Sequence, residues 1–322
     1  MVFLIIITKL KNMKKFNLML LFALFTLSAS AQDYVDIFKL SVNNATLGNM
    51  DNNYETGVNN LNMEVYYPKK LSEKAVLLTG FTVENTRLDL NVSRIQTADI
   101  VSGRSSLTMT RFNLGMKYQH SEKWSGTYVF LPKIASDFEN IGSNDFQFGG
   151  LAVLDYQYNE TSKVKFGVYA STENHGSTIT PLIGIWHRSK DNKFYINATL
   201  PIRMDANYAL SKKFSVGSDL LTSIKSYNLS QVNSDNYVQE ESIRFALYAA
   251  LGLMDNSIIV RGKVGFDTTD YGLFNSNQKV GAQVLTFPLN TDKRTRLNSE
   301  FDSSLYVGFD AIYRFDLTKE TK

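Results

Sequence analysis

Apolar residues recur at every second position in segments that are spread over nearly the whole chain. In "TMTRFNLGMKYQ" (108–119), Phe112, Leu114, Met116 and Tyr118 share one register, whereas the other register is mostly polar. Side chains of a β-strand point alternately to opposite faces, so each such segment is predicted to be a strand with one apolar face. No window of helical length shows a 3.6-residue period. The chain is therefore predicted to be all-β.

The connections between these segments are of two kinds, which alternate along the chain. Short charged connections such as "NETSK" and "SKK" alternate with long polar segments at 43–60, 88–105, 225–239 and 267–303. Short turns at one end and long loops at the other are typical of a transmembrane antiparallel up-and-down β-barrel of the outer-membrane type. Six short turns join seven hairpins, which predicts fourteen strands. Twelve strands is the alternative, because the hairpin at 194–210 is cramped and the segment 279–287 is weakly patterned.

The charges within the predicted strands indicate which face is the inner one. An Arg or Lys that faces lipid at the middle of a bilayer costs about 2–4 kcal/mol, so charged strand residues are expected to point into the lumen. The opposite register, which includes Phe112, Leu114, Phe245, Leu247, Val264 and Phe309, is then expected to point outward. The predicted lumen-lining charges are Glu64, Arg111, Lys117, Asp155, Asp219, Arg244, Arg261, Lys263, Asp310 and Arg314.

Aromatic residues cluster beside the short turns. Rings of Tyr and Trp prefer the level of the lipid headgroups, so a belt of them indicates a membrane boundary. The final strand ends in Phe315 with Tyr313 two places before it, which resembles the C-terminal signal that outer-membrane barrels present to the barrel-assembly machinery. The predicted girdle aromatics are Tyr67, Tyr118, Trp124, Tyr156, Tyr158, Trp186, Phe194, Tyr208, Phe214 and Phe315.

The first residues are typical of an export signal. A basic region at Lys14 and Lys15 precedes the apolar stretch 16–28, and small residues at Ala29 and Ala31 fit a cleavage site before Gln32. We therefore predict a leader at 1–31 with its true start at Met13, a barrel at 32–315 in the cell outer membrane, and a short periplasmic tail at 316–322.

Composition excludes several kinds of chemistry. The chain has no cysteine, so thiolate metal sites and cysteine nucleophiles are excluded, and we predict no cofactor. Subtracting the four leader lysines from the net charge of +3 leaves a mature chain near −1, which gives no reason to expect nucleic acid as a partner. Outer-membrane lipid is the expected partner, and the oligomeric state is left open. The acidic residues Asp137, Glu139 and Asp145 are interpreted as solvated loop carboxylates rather than as a calcium site.

Catalysis is not predicted. Of the three histidines, only His175 is a sensible catalytic candidate, because it lies in a predicted external loop with Ser177 nearby in sequence. A nucleophile needs a positioned base, and no such geometry follows from the sequence. His175 is therefore interpreted as a solvated loop residue, and the chain is predicted not to be an enzyme.

Two functions fit a barrel with charged strands. The first is a porin-like channel that passes small polar solutes through a charged lumen. The alternative is a non-transport barrel that acts in surface structure or recognition through its long external loops, and an outer-membrane enzyme ranks third. The inward basic residues either form a ring that favours anions or pair with inward acids and brace the interior. Pairing is the preferred interpretation.

Four motifs indicate a family. "SDFENIGSNDFQFGG" (136–150), "PLIGI" (181–185), "RGKVGF" (261–266) and "DYGLF" (270–274) resemble an uncharacterised outer-membrane β-barrel family of Bacteroidota, a domain of unknown function. The resemblance covers most of the mature chain. It implies a barrel fold and an outer-membrane location, and it brings no catalytic residue and no ligand.

Overall fold

The computed structural model describes residues 34–48, 55–90, 104–230 and 235–316. The predicted leader and nearly all of the predicted tail lie outside these residues. Within them the chain forms β-strands and a single 3-10 turn at Ser143–Asp145. The strands are β1 Tyr34–Gly48, β2 Glu55–Lys70, β3 Ala75–Asp89, β4 Arg104–Gln119, β5 Trp124–Ser136, β6 Phe146–Asn159, β7 Ser162–Glu173, β8 Gly176–Arg188, β9 Phe194–Leu200, β10 Arg203–Ala209, β11 Phe214–Leu229, β12 Asn236–Leu253, β13 Ile258–Asp267, β14 Asp270–Asn275, β15 Gly281–Val284, β16 Phe287–Pro288 and β17 Ser304–Asp316.

Fourteen of these strands form a closed antiparallel barrel, which confirms the prediction of an all-β barrel with fourteen strands. Each strand from β1 to β12 pairs with the next one along the chain. β17 pairs with β13 on one side and with β1 on the other, so the ladder closes. The end with the short connections is called the turn end below, and the opposite end the loop end.

The two-residue alternation of the sequence becomes an inner and an outer face. The outer face is apolar and accessible: Phe112 is 61% exposed and Leu247 is 58% exposed. Their neighbours Arg111 and Arg244 point to the inside, as the register of the ladders requires. Within the described residues, no helix has the length and hydropathy needed to span a membrane.

Several strands are longer than the sequence indicates. The predicted loops 43–60 and 225–239 are largely strand, because β1 continues to Gly48, β2 begins at Glu55 and β11 continues to Leu229. The Asn, Ser and Thr residues that suggested loops satisfy their polar groups inside the sheet instead. For example, Asn60 donates through Nδ2 to Glu84 Oε1 at 2.9 Å.

The segment 268–303 is an excursion between two neighbouring wall strands, β13 and β17. β14 pairs with the loop-end half of β12. β15 then runs parallel to β8, and β16 folds back on β15. The weakly patterned segment 279–287 is therefore part of this excursion and is not a spanning strand of the barrel.

The loop end of the barrel is filled from within. The loop-end part of β11 leaves the wall and lies against β5, where Asn228 and Ser136 form a parallel bridge. β12 and β14 accompany it and cover an apolar cluster on the inner face of the opposite wall. The cluster consists of Leu47, Val58, Leu88, Leu90, Leu107, Met109, Ala135, Tyr227, Leu229, Val238, Tyr271, Leu273 and Phe301.

A closed ladder predicts heat-modifiable mobility in gels. The protein folded in detergent should migrate at a different position before boiling than after boiling, because the backbone hydrogen bonds protect one another from the detergent. Identical mobility before and after boiling, measured on a sample with native β circular dichroism, would contradict closure of the barrel.

Candidate functional site in the barrel lumen

The lumen carries most of the charge of the barrel wall. All ten residues predicted as lumen-lining charges lie in the inner register of their strands, opposite the exposed apolar register. Whether they line a solute path stays a prediction. Four of them are nearly excluded from solvent, since Asp310 is 0%, Glu64 5%, and Arg244 and Arg261 each 6% exposed.

Most of these charges are neutralised by direct ion pairs. Buried charges are tolerated in proteins when they are paired and hydrogen-bonded. The inner pairs are Glu64–Arg203 (3.4 Å), Asp205–Arg261 (3.1 Å), Asp219–Lys263 (3.2 Å), Asp310–Lys263 (3.1 Å), Asp310–Lys39 (3.5 Å), Asp267–Arg244 (3.1 Å) and Asp36–Arg314 (2.6 Å). On this side of the lumen the charges brace the wall.

A second ion-pair group crosses the lumen below the apolar cluster. Lys225 Nζ lies 2.8 Å from Glu84 Oε1 and 3.1 Å from Glu240 Oε1. Glu240 is fully buried and also accepts a hydrogen bond from the Tyr227 hydroxyl at 3.1 Å. Because β3 lies across the lumen from β11, this group ties the inserted layer to the far wall. Together with the apolar cluster, it closes the loop end in this structure.

The wall from β4 to β7 has an excess of cations. In the part of the chain that the structure describes, no carboxylate lies within ion-pair distance of Arg111 or Lys117. Lys163 and Lys165 add two further inward cations on β7, and Lys165 donates to Asn197 Oδ1 at 2.5 Å. Asp155 is the carboxylate that faces this group, directly opposite Lys165 in the ladder. Lys117, Lys165 and Asp155 all act electrostatically on Lys163, so the three lysines share one region, whereas Arg111 lies farther along β4 and acts on Glu64.

The middle of the lumen is hollow. Arg203 lies at the tip of the short β9–β10 hairpin and points inward to Glu64, yet 52% of its side chain is accessible. Leu221 is its partner on β11 and is 37% exposed on the same inner face. Arg203 and Leu221 lie where the ladders of the short hairpin end, and the lumen-facing side chains of Lys39 and Asp205 are also 24% and 26% accessible. Open space therefore extends along the lumen beside the Arg203 side chain.

The predicted girdle aromatics lie at the turn end, and the structure corrects one of them. Trp186 is 8% exposed and faces the lumen, where Lys163 Nζ lies 5.3 Å from its ring centroid. The outward residues of β8 are Ile183 and Ile185. Trp186 lies beside a turn, but its register in the strand places its side chain on the inner face. The remaining residues are exposed or partly exposed, and their role at a membrane boundary stays a prediction: Tyr67, Tyr118, Trp124, Tyr156, Tyr158, Phe194, Tyr208, Phe214 and Phe315.

His175 is not a solvated loop residue, which corrects that interpretation. Its side chain is fully buried in the β7–β8 turn and contacts Thr178 Oγ1 through Nε2 at 3.2 Å. Ser177 is exposed on the other face of β8, so the two residues do not form a nucleophile with its base. Burial is the main cause that lowers the pKa of His175 to about 4; Glu173 opposes this shift, and the nearby cations Arg294 and Lys133 contribute to it.

Of the three acidic loop residues, Glu139 is exposed as expected, whereas Asp145 differs from expectation. Asp145 is fully buried and accepts hydrogen bonds from the Gly142 amide at 2.6 Å and from Asn228 Nδ2 at 2.8 Å. It therefore holds the inserted part of β11 rather than facing solvent. Among the residues that the structure describes, no group of three or more His, Asp or Glu side chains is arranged to hold a metal ion.

Sequence reasoning missed the residues that shape the hollow. Arg203, Asp205, Lys163 and Lys165 all lie inside the barrel. Arg203 and Asp205 alternate with Met204 and Ala206, and Lys163 and Lys165 alternate with Val164 and Phe166, so the two-residue period carried the signal for all four.

These features define a closed β-barrel with an apolar exterior and a charged, partly hollow lumen. The chain belongs to the family described as a domain of unknown function (DUF6268), whose model matches residues 93–269. A comparison with curated proteins finds no match.

Three solved structures illustrate the likeness of fold. The COG4313 outer membrane channel from Pseudomonas putida F1 is 9% identical, with a TM-score of 0.46 over 90% of this chain and 100% of that chain. The Pseudomonas putida toluene transporter TodX is 12% identical, with a TM-score of 0.38 over 88% of this chain and 90% of that chain. The translocator domain of the autotransporter NalP from Neisseria meningitidis is 9% identical, with a TM-score of 0.35 over 90% and 91%.

Neutralising Glu240 should weaken the barrel more than neutralising its neighbour. Glu240→Gln leaves Lys225 and Arg244 with one carboxylate fewer in a buried site, so the free energy of unfolding should fall by roughly 3 kcal/mol. Glu241→Gln is the matched control, because Glu241 accepts from Gln239 and lies outside the ion-pair group. Its effect should stay within about 1 kcal/mol. Urea titration of the protein refolded in phospholipid measures both, and equal losses would contradict the bracing role of Glu240.

The loop end should loosen in acid. Buried, neutral His175 has a folded pKa of about 4, below its unfolded value of about 6.5. As the pH falls, a locally opened state therefore binds a proton at His175 before the closed state does. The stability of the closed state relative to the opened state falls by on the order of 2 kcal/mol between pH 7.5 and pH 5. The His175 carbonyl accepts from the amides of Val280 and Gly281, so hydrogen exchange at those amides should rise after correction for intrinsic rates. His175→Gln should remove that rise, and an equal rise in the variant would contradict the assignment.

Proposed function

We propose that this protein is an outer-membrane channel for small polar solutes whose loop end is closed in this structure. The observation that carries the proposal is the open space around Arg203, whose inward side chain is 52% accessible at the tip of the β9–β10 hairpin. A barrel of fourteen strands encloses more space than a small barrel whose interior is filled by side chains. The mixed polar and charged lining suits solutes that keep part of their hydration.

The outer-membrane location rests on the outer face. Around most of its circumference the closed ladder pairs the backbone groups that face hydrocarbon, and accessible side chains such as Phe112, Leu247 and Phe309 suit acyl chains. The proposed signal peptide at 1–31 supports export, with the short turns in the periplasm. β17 would guide insertion by the barrel-assembly machinery, and the motifs support an origin in Bacteroidota.

The excess of cations on the β4–β7 wall supports a preference for anions. Lys117, Lys163 and Lys165 face Asp155, whereas Arg261 and Lys263 have close carboxylate partners. A local excess of fixed positive charge raises the concentration of small anions near it. The preference would come from these three cations and not from Arg261 or Lys263, which are neutralised.

The second candidate is a non-transport barrel, and the packed loop end favours it. An apolar cluster with fully buried members such as Leu88 and Tyr227 is as tight as the core of a soluble domain. A barrel stabilised in this way would present its external surface for recognition. An enzymatic role is not proposed, because His175 and Ser177 are on opposite faces of β8.

Removal of the excursion tests the two candidates. Asp267 and Ser304 are directly paired, so a short Gly-Ser linker can replace residues 268–303 and leave β13 and β17 as a hairpin. The native chain should show rare openings in planar bilayers, and the shortened chain should conduct in frequent steps because Tyr271, Leu273 and Phe301 have left the loop end. A shortened chain that folds and gives no current would favour the non-transport candidate.

Ion preference tests the lumen charge. In the shortened chain, Lys117→Gln with Lys163→Gln should lower the permeability ratio of chloride to potassium, measured as the reversal potential in a salt gradient. Lys212→Gln with Lys213→Gln, in a short turn outside the lumen, is the control with the same change of net charge. The same shift in both pairs would contradict a local effect of the β4–β7 cations.

A further inference from the structure

The strands β9 and β10 are short, so the barrel wall between β8 and β11 lacks two strands on the loop-end side of the β9–β10 hairpin. The ladder between β8 and β9 ends at the pair Ile183–Leu200, and the ladder between β10 and β11 ends at the pair Arg203–Leu221. β8 nevertheless extends to Gly176 and β11 to Leu229, about seven residues farther on each side. At a rise of about 3.3 Å per residue this leaves a gap roughly 20 Å high toward the loop end.

Part of this gap is occupied by the β15–β16 hairpin, residues 281–288, which is called the wall hairpin here. β15 takes the place beside β8 that β9 leaves empty, with Gly281 opposite Gly176 and Val284 opposite Ile179. The Leu285 amide donates to the Ile179 carbonyl at 3.0 Å and ends this contact. The wall hairpin therefore substitutes for the missing ends of β9 and β10, although it comes from a distant part of the chain.

The wall hairpin is held along one side. In the described part of the chain, no ladder joins β15 or β16 to β11. The loop-end edge of β11 is instead turned to the inner face of β6 and β7, where the Ser226 amide donates to Glu173 Oε2 at 2.8 Å and Gln147 Nε2 donates to the Ser226 carbonyl at 3.0 Å. The seam between the wall hairpin and β11 is thus free of the continuous hydrogen bonding that seals the rest of the barrel.

The two sides of this seam differ in chemistry. On the outside, Phe287 and Leu289 are 70% and 62% exposed, and Ile179 and Leu200 add apolar surface beside them. On the inside, accessible Arg203 lies at the tip of the β9–β10 hairpin, where the gap begins. A molecule with an apolar chain and an anionic group matches both surfaces at once, since the chain stays against hydrocarbon while the head meets the guanidinium.

The attachment of the wall hairpin depends on a glycine contact. Gly176 has φ of +136°, and a Cβ placed on it would lie 1.8 Å from the Gly281 carbonyl oxygen. Only glycine permits β15 to approach β8 this closely in that conformation. Gly176→Ala is therefore a variant that should detach the wall hairpin without touching the lumen charges.

We propose that the wall hairpin is a lateral gate through which single-chain amphiphiles with an anionic headgroup pass between the outer leaflet and the lumen. This proposal rests on the proposed function, because it requires the hollow around Arg203 to be part of a passage. It adds a second class of substrate and an entrance in the side of the barrel. The gate opens by release of β15 from β8, and the hollow beside Arg203 receives the headgroup.

The absence of cysteine from the chain permits a clean test by cross-linking. Ser177 lies between Ala282 on β15 and Thr172 on β7 and is paired with each of them. Ser177→Cys with Ala282→Cys should lock the wall hairpin to β8 when oxidised. Ser177→Cys with Thr172→Cys is the matched control, since it uses the same cysteine but staples two wall strands and leaves the wall hairpin free.

The measured quantity is the transfer of fluorescent lysophosphatidylglycerol across the bilayer of phosphatidylcholine vesicles that contain the refolded protein. Extraction with albumin reports how much probe is left in the outer leaflet. Oxidation should slow transfer in the locking pair by about tenfold, to the rate of protein-free vesicles, and reduction should restore it. The control pair should transfer equally in both states, and Gly176→Ala should transfer faster than the native chain.

Headgroup preference gives a second readout. Arg203→Gln should slow the transfer of fluorescent lysophosphatidylglycerol and leave that of zwitterionic fluorescent lysophosphatidylcholine unchanged. Equal transfer in the oxidised and reduced locking pair, or transfer no faster than in protein-free vesicles, would overturn the lateral gate. Conductance of the chain lacking 268–303 is recorded separately, so a channel that conducts ions but fails these lipid assays refutes the gate and leaves the proposed function intact.

Discussion

Closure of the backbone ladder is the constraint on which the rest of this structure depends. β17 is the strand that closes it, because it pairs with β13 through Ile258–Tyr313 and with β1 through Leu40–Ala311. Once the ladder is closed, the wall has no free edge except at the gap beside the end of the β9–β10 hairpin, and every strand can place an apolar register outside. The inner register is then free to carry charges, which an open sheet in the same surroundings could not shelter.

Residues 268–303 contribute to both places where the barrel differs from a simple cylinder, which are the covered loop end and the gap in the wall beside the β9–β10 hairpin. β13 and β17 are neighbours in the wall, so residues 268–303 are not needed to close the barrel. β14 contributes Tyr271 and Leu273 to the apolar cluster at the loop end, and β15 occupies the gap beside β8. The same stretch of chain therefore covers both the loop end and the gap between β8 and β11, so it links the two openings that lead into the lumen.

The charges divide into a bracing set and an accessible set. Glu240, Lys225 and Glu84 are buried together and hold the inserted layer against the opposite wall. Lys117 and Arg203 are partly or half accessible, and their charge acts on the hollow space. Removing a partner from the first set leaves a buried charge uncompensated, whereas changing the second set alters what the lumen attracts.

Features that depend on local strand geometry could be predicted from the sequence, whereas features that depend on contacts between distant segments could not. The two-residue period predicts the strands, their number and the inward direction of residues such as Arg111 and Arg261, because it depends only on strand geometry. It could not predict that β11 leaves the wall after Leu221 or that β15 pairs with β8, because these contacts join distant segments with little pattern of their own. Trp186 was misassigned for a related reason, since closeness to a turn was weighed above its register.

Accessibility of single cysteines in the bilayer tests the central claim most directly. Leu114→Cys and Arg203→Cys each introduce the sole thiol of the chain, one on the outer face and one beside the hollow. In phospholipid vesicles, a membrane-impermeant charged maleimide should label position 203 and leave position 114 unlabelled, whereas in urea it should label both. Rapid labelling at 114 with protection at 203 would contradict a barrel with an apolar exterior and a water-filled lumen.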